Sequence, residues 1–141
     1  MEIAPFDNRE GFIWMNGEFI KWNDAKCHVI TQGLHYASAV FEGERAYKGK
    51  IFKSEEHTKR LFRSAEIVGI KIPYSQSQIN EAKDELIKKM NFEDCYVGQL
   101  HGEGLSKWEF QLLNLILMLQ LQCGMIGHHI LRSKIEKLAY D

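Results

Sequence analysis

Apolar positions change spacing several times along the first hundred residues, and each change falls beside a residue suited to end an element. GFIWMNGEFIKW places two apolar-rich runs on either side of Asn16-Gly17, the dipeptide best suited to the left-handed corners of a hairpin turn. A second hairpin is expected between Glu44 and Lys53, where ERAY and IFK flank Lys48-Gly49-Lys50. Ser54 reads as a helix N-cap, with Glu55 and Glu56 in a first turn where the helix dipole favours acids. Leu61, Ala65 and Val68 recur at helical spacing, and Gly69 is suited to close that helix. Ile72-Pro73 stops any continuation. Ser75 or Ser77 opens a second helix carrying Ile79, Ala82, Leu86 and Met90 on one face, with Asn91 at its end and a short strand from Cys95 to Val97. The order β-β, loop, β-β, α, α, β predicts an α+β domain over residues 1–97.

Beyond Val97 this agreement between punctuation and period fails. Residues 110–130, FQLLNLILMLQLQCGMIGHHI, hold no acid, Lys or Arg. The run is long enough to cross a bilayer, but Gln111, Asn114, Gln120, Gln122 and His128-His129 are polar groups that lipid would leave unsatisfied. Its leucines fall on every side of a helix and form no stripe. No fold is expected for 98–141.

Composition narrows the classes without choosing among them. A chain of 141 residues is enough for one domain and short for two. With 18 Lys+Arg against 19 Asp+Glu the net charge is −1, so no basic face is expected and neither nucleic acid nor an anionic membrane is a default partner. Cys27, Cys95 and Cys123 are widely spaced and odd in number, which argues against a disulfide scaffold or a zinc site. MEIAPFDNREGF carries acids and no apolar run of the signal-peptide kind, so a cytoplasmic address is expected.

Three strings carry more than pattern: FIWMNGEFIKWNDAKCHVITQGLHYASAVFEGERAYKGKIFK, EEHTKRLFRSAEI and EDCYV. Over residues 1–97 the sequence resembles the N-terminal domain of the branched-chain amino acid aminotransferases, pyridoxal 5′-phosphate enzymes of fold type IV. The resemblance implies transfer of the amino group of leucine, isoleucine or valine to 2-oxoglutarate, by a homodimer. D-amino acid aminotransferases and aminodeoxychorismate lyases share that architecture, and a non-catalytic dimerisation module is the alternative from another class. In the family the lysine that carries the cofactor belongs to the larger C-terminal domain, and none of the lysines in 1–97 matches it. No catalytic residue is therefore assigned here, and the chain as it stands is expected to lack transaminase activity.

The binding residues that the resemblance does carry over are few. Arg60 matches the arginine that contacts the cofactor phosphate; taken alone, it reads as a surface arginine paired with Glu56 one helical turn back. Phe41 and Gly43 match positions that wall the branched side-chain pocket, against the plainer reading of a core aromatic and a turn glycine. Tyr36 matches a tyrosine that reaches the pocket across the dimer interface, and Arg45 lies where it could meet a substrate carboxylate. His28 and His35 lack a paired nucleophile or acid and read as structural, while the adjacent His128-His129 cannot share one face as metal ligands. No metal is expected.

After the tyrosine-valine pair the family continues in the manner of RPxAWRGSE, where this chain has Gly98-Gln99-Leu100-His101-Gly102. Displacing the reading frame by one base allows Val97 to Ser106 to be read as RPIAWRGSE. Residues 98–141 are accordingly expected to be the product of a frame change near the Val97 codon. The nucleotide sequence across that codon decides the matter: stops throughout the displaced frame would sink the idea.

Overall fold

The computed structural model describes residues 8–103 and the backbone of 113–120. The first hairpin forms as its turn signal requires. Strand β1 (Phe12–Met15) pairs antiparallel with β2 (Glu18–Lys21), and Asn16 and Gly17 take the corner at φ 56° and 95°. A 3-10 turn (Trp22–Asp24) and a single helical turn, α1 (Gln32–His35), lead to the long strand β3 (Ala39–Tyr47). Lys48-Gly49 turns β3 back into the two-residue β4 (Lys50–Ile51).

Helix α2 (Ser54–Ile67) corrects two expectations. Its N-cap is Lys53, in the left-handed region, and Ser54 is already the first helical residue. Val68 is exposed, because it sits at the C-cap, just past the last helical residue; Thr58, Leu61 and Ala65 are the buried residues. Gly69 closes the helix at φ 76°, with its N–H donating to Glu66 and that of Ile70 donating to Ala65. Helix α3 (Gln76–Met90) starts from Ser75 through a reciprocal capping box with Gln78 and ends at Asn91, whose φ of 52° is left-handed.

Strand β5 (Cys95–Glu103) runs six residues past Val97, so the expected boundary falls inside a strand. It pairs with β3 from Ala39↔Gly102 to Ala46↔Cys95, and with β6 (Leu113–Gln120), which comes from the uncharged run. The result is an antiparallel six-stranded sheet in the order β2-β1-β6-β5-β3-β4. Helices α2 and α3 cover one face, as an α+β domain requires. Their inner residues Leu61, Ala65, Ile79, Leu86 and Ile87 pack with Trp14, Val40, Ala46, Cys95 and Val97. Among the described residues no helix is long and apolar enough to cross a membrane. Cys123 and the His128-His129 pair lie outside the described residues, whereas Cys27 and Cys95 are free thiols.

Between sheet and helices the core is not purely apolar. Glu44 of β3 and Lys83 of α3 are 1% and 0% exposed, with Lys83 Nζ 2.9 Å from Glu44 Oε1. Nζ also donates to Thr58 Oγ1 at 2.8 Å and to the Ser54 carbonyl, and Gln99 Nε2 donates to the same Glu44 oxygen. Burial pushes the Glu44 pKa up and the Lys83 pKa down, against the pull of each partner's charge. Taking two charges out of water is costly, so the pair holds the elements in place better than it stabilises them. Removing one partner strands the other. Lys83→Met should therefore lower unfolding stability by about 3–5 kcal/mol, and adding Glu44→Leu should recover most of it. Urea denaturation of the parent, both single variants and the double variant measures this; a double variant no better than the worse single one contradicts it.

Candidate functional site

Alternation along β3 assigns its residues to two faces. Val40, Glu42, Glu44 and Ala46 turn toward the helices and are buried, while Phe41, Gly43, Arg45 and Tyr47 turn to the other face of the sheet. Among the described residues β4 pairs with β3 only at Ala46 and Tyr47, which leaves the stretch from Ala39 to Arg45 without a strand on its outer side. The predicted binding residues gather around that stretch, on both of its faces.

On the helix side, Arg60 projects from α2 toward Glu42. Its Nε donates to Glu42 Oε1 at 2.5 Å and its Nη2 to Oε2 at 2.7 Å, a two-pronged fit of guanidinium to carboxylate. Glu56, one turn back, is not its partner. His57 Nδ1 lies 2.9 Å from Glu42 Oε2. An ionised carboxylate only accepts, so Nδ1 carries the proton and donates; the 3.2 Å approach of Arg60 Nη2 to the same Nδ1 is then a contact without a hydrogen bond. Glu42 is 5% exposed and Arg60 64%. Arg60 is thus anchored at one side of a mostly exposed side chain, and among the described residues Nη1 makes no hydrogen bond.

Burial pushes the Glu42 pKa up, but hydrogen bonds from Arg60 and His57, with their charges, outweigh it and leave the value below the usual 4.5. Hydrogen bonding to Glu42 raises the Arg60 pKa further, so the guanidinium is charged throughout. A carboxylate whose pKa falls on folding contributes stability above its unfolded value and loses it as pH drops through the folded one. The stability gap between the parent and Glu42→Gln should accordingly be constant near neutrality and close as pH falls below 4.5. Urea midpoints measured from neutral to acid pH check this, and a gap that widens in acid contradicts it.

On the other face, Phe41 is 72% exposed, an apolar ring with nothing described over it. Beside it, Gly43 is held to glycine by a neighbour in the protein. A Cβ there would run into the Tyr96 hydroxyl and come within 2.9 Å of the ring. Tyr96 pairs with Arg45 across β3 and β5, which puts its side chain on the Phe41 face. Reading the sequence missed Tyr96, although its place in EDCYV, one residue before a buried valine, would have put it on the face opposite the core. Glu42 and His57 were missed as well, because nothing in the sequence joins FEG to EEHTKR.

Arg45 stacks its guanidinium 5.7 Å from the Tyr47 ring centre, toward the far end of the strand from Phe41. Tyr36 caps α1 and is 77% exposed, with Val29, Ile30 and Leu34 also exposed on the same loop. The structure therefore places Phe41 and Gly43 together, Arg60 across the strand from them, and Tyr36 and Arg45 at the margins. His28 serves its own loop, its Nδ1 accepting from the Ile30 N–H. The buried lysine, Lys83, points from α3 into the space between helices and sheet and is fully paired. An open concavity of about 930 Å³ near the C-terminal end of α2, lined by Lys59, Phe62, Arg63 and Lys71, includes none of the predicted residues. No group of described acids, histidines and cysteines is arranged to hold a metal ion.

This arrangement offers an anchored cation on one face of the β3 stretch and an exposed apolar ring on the other. The family model for amino-transferase class IV matches residues 39–107. A probable branched-chain-amino-acid aminotransferase from Rickettsia bellii is 47% identical over 94 residues, which cover 67% of this chain and 32% of that protein. The crystal structure of the Escherichia coli branched-chain amino acid aminotransferase superposes with a TM-score of 0.77 at 30% identity, over 85% of this chain and 42% of that one. That of the branched-chain aminotransferase from the archaeon Thermoproteus uzoniensis with norvaline gives a TM-score of 0.71 at 25% identity, over 79% and 40%. The chain thus spans about a third of the length of the curated relatives it matches. Fold and sequence agree over the same stretch: the chain matches the class IV aminotransferases in sequence over residues 39–107 and the branched-chain aminotransferases in fold.

Proposed function

We propose that this domain contributes one wall of a branched-chain amino acid aminotransferase site. The whole enzyme would move the amino group of leucine, isoleucine or valine to 2-oxoglutarate with pyridoxal 5′-phosphate. The observation that carries the reading is the pairing of an anchored, outward-facing guanidinium with an exposed aromatic across one unpaired stretch of β3. Pyridoxal phosphate, when bound, supplies an electron sink at the substrate's α-carbon. What this chain's residues do is bind and orient.

Arg60 would hold the phosphate, since it stays charged and keeps Nη1 unspent. Phe41 offers an apolar surface to a branched side chain, and Gly43 leaves room for the Tyr96 hydroxyl, a donor set beside that surface. Arg45 is the cation on that face available to a carboxylate. The exposed Val29, Ile30, Leu34 and Tyr36 support assembly as a homodimer, because an apolar loop of this kind is ordinarily covered. One related structure is described as a complex with pyridoxamine 5′-phosphate and another as a complex with 4-methylvaleric acid, a branched apolar acid of matching shape.

Grafting residues 8–97 of this chain onto the C-terminal domain of a related branched-chain enzyme tests the reading. The graft should transaminate leucine, isoleucine and valine, and Arg60→Ala within it should raise the cofactor dissociation constant about tenfold or more, as loss of a charge-assisted hydrogen-bonding partner does. The 141-residue chain alone should show no turnover. A graft that folds and binds cofactor but rejects all three amino acids contradicts the assignment of substrate.

A further inference from the structure

The phosphate reading concerns Arg60, but the geometry around Arg60 says more about its neighbour. Arginine on a helix surface ordinarily samples many rotamers, and a ligand that uses it has to freeze them. Immobilising one such side chain costs roughly 0.5–1.5 kcal/mol. Here the freezing is already done. Glu42 is buried on a central stretch of β3, its two oxygens take Nε and Nη2 of Arg60, and His57 Nδ1 holds the second oxygen from the side. The backbone of Glu42 is itself fixed by the ladder to β5, in register with Gln99.

We infer that Glu42 is a positioning residue: it fixes the Arg60 guanidinium so that Nη1 faces outward in one orientation for a phosphate monoester. His57 supports the carboxylate from the same helix. The inference rests on the phosphate reading of Arg60 and adds to it a residue that touches neither phosphate nor substrate. Its sign is what makes it decisive. If Glu42 acted only through its charge, it would repel an anion bound to Arg60, and removing it would tighten binding. If it acts by holding Arg60, removing its charge and one of its hydrogen bonds weakens binding.

The test uses the intact 141-residue chain labelled with 15N, titrated with pyridoxamine 5′-phosphate, which has no aldehyde and so cannot attach to surface lysines. The Arg60 Nε–H resonance, assigned by its loss in Arg60→Lys, reports solvent exchange at the guanidinium. Glu42→Gln, nearly the same shape, should leave the backbone amide spectrum in place and speed Nε–H exchange. It should also weaken the probe about threefold to tenfold, the range expected when one immobilised side chain is set free. Binding unchanged or tighter in Glu42→Gln overturns the positioning role, and so does weaker binding without faster Nε–H exchange. If the parent chain shows no titration, or Arg60→Ala binds the probe as well as the parent, the phosphate reading itself falls. In the first two results Arg60→Ala still weakens the probe, so the two failures are distinct.

Discussion

Two carboxylates on the inner side of one strand set the terms for the rest of this domain. Glu42 and Glu44 are two residues apart on β3, so both point into the helix layer, where an unpaired charge would be prohibitive. Each is met by a cation from a different helix: Glu42 by Arg60 of α2, Glu44 by Lys83 of α3, with Thr58 of α2 joining the second network. An apolar core would tolerate small slips of helix over sheet. These pairs do not, because a displaced partner leaves a buried ion with nothing to replace water. The sheet therefore dictates where α2 and α3 lie, and the position of Arg60 follows from that.

The two pairs differ in what they leave over. At Glu44 and Lys83 every charged atom is enclosed, and burial works against ionisation of both. At Glu42 the cation is mostly exposed, and its hydrogen bonds lower the carboxylate's pKa despite burial. One pair is confined to structure. The other presents a charged, oriented donor at the surface, beside the stretch of β3 whose opposite face carries Phe41, Gly43 and the Tyr96 hydroxyl. A single strand thus organises both the packing and the candidate binding wall.

Much of this was legible in the sequence because local signals suffice for local structure. Asn16-Gly17, Lys48-Gly49, Gly69, Ser75 and Asn91 each mark a turn or helix end through a backbone preference of their own, and each lies at such an end. Serine is a common N-cap, which singles out Ser54, yet Lys53 takes the left-handed N-cap between β4 and α2. Val68 fitted the helical period but fell just after the helix had ended. The charged networks were not legible at all. They join residues 18 and 39 positions apart, and glutamates in a strand read as solvent-facing until the helices are placed over them.

The strand beyond Val97 marks the limit of that agreement. β5 continues by backbone pairing, which any sequence can supply, but its inward side chains fit poorly. Among the described residues, the buried side-chain atoms without a hydrogen-bond partner are Gln99 Oε1 and both ring nitrogens of His101. Burial drives the His101 pKa down to about 4. Two successive inward positions of β5 thus carry polar groups left bare, where buried polar atoms are ordinarily paired.

The central claim is that β3 binds both helices through its two glutamates as one unit. Native-state hydrogen exchange on Lys83→Met tests it most directly. The account predicts that amides of β3, α2 and α3 lose protection together, while the β1–β2 hairpin changes little. Loss confined to α3, with β3 and α2 as protected as in the parent, would contradict it.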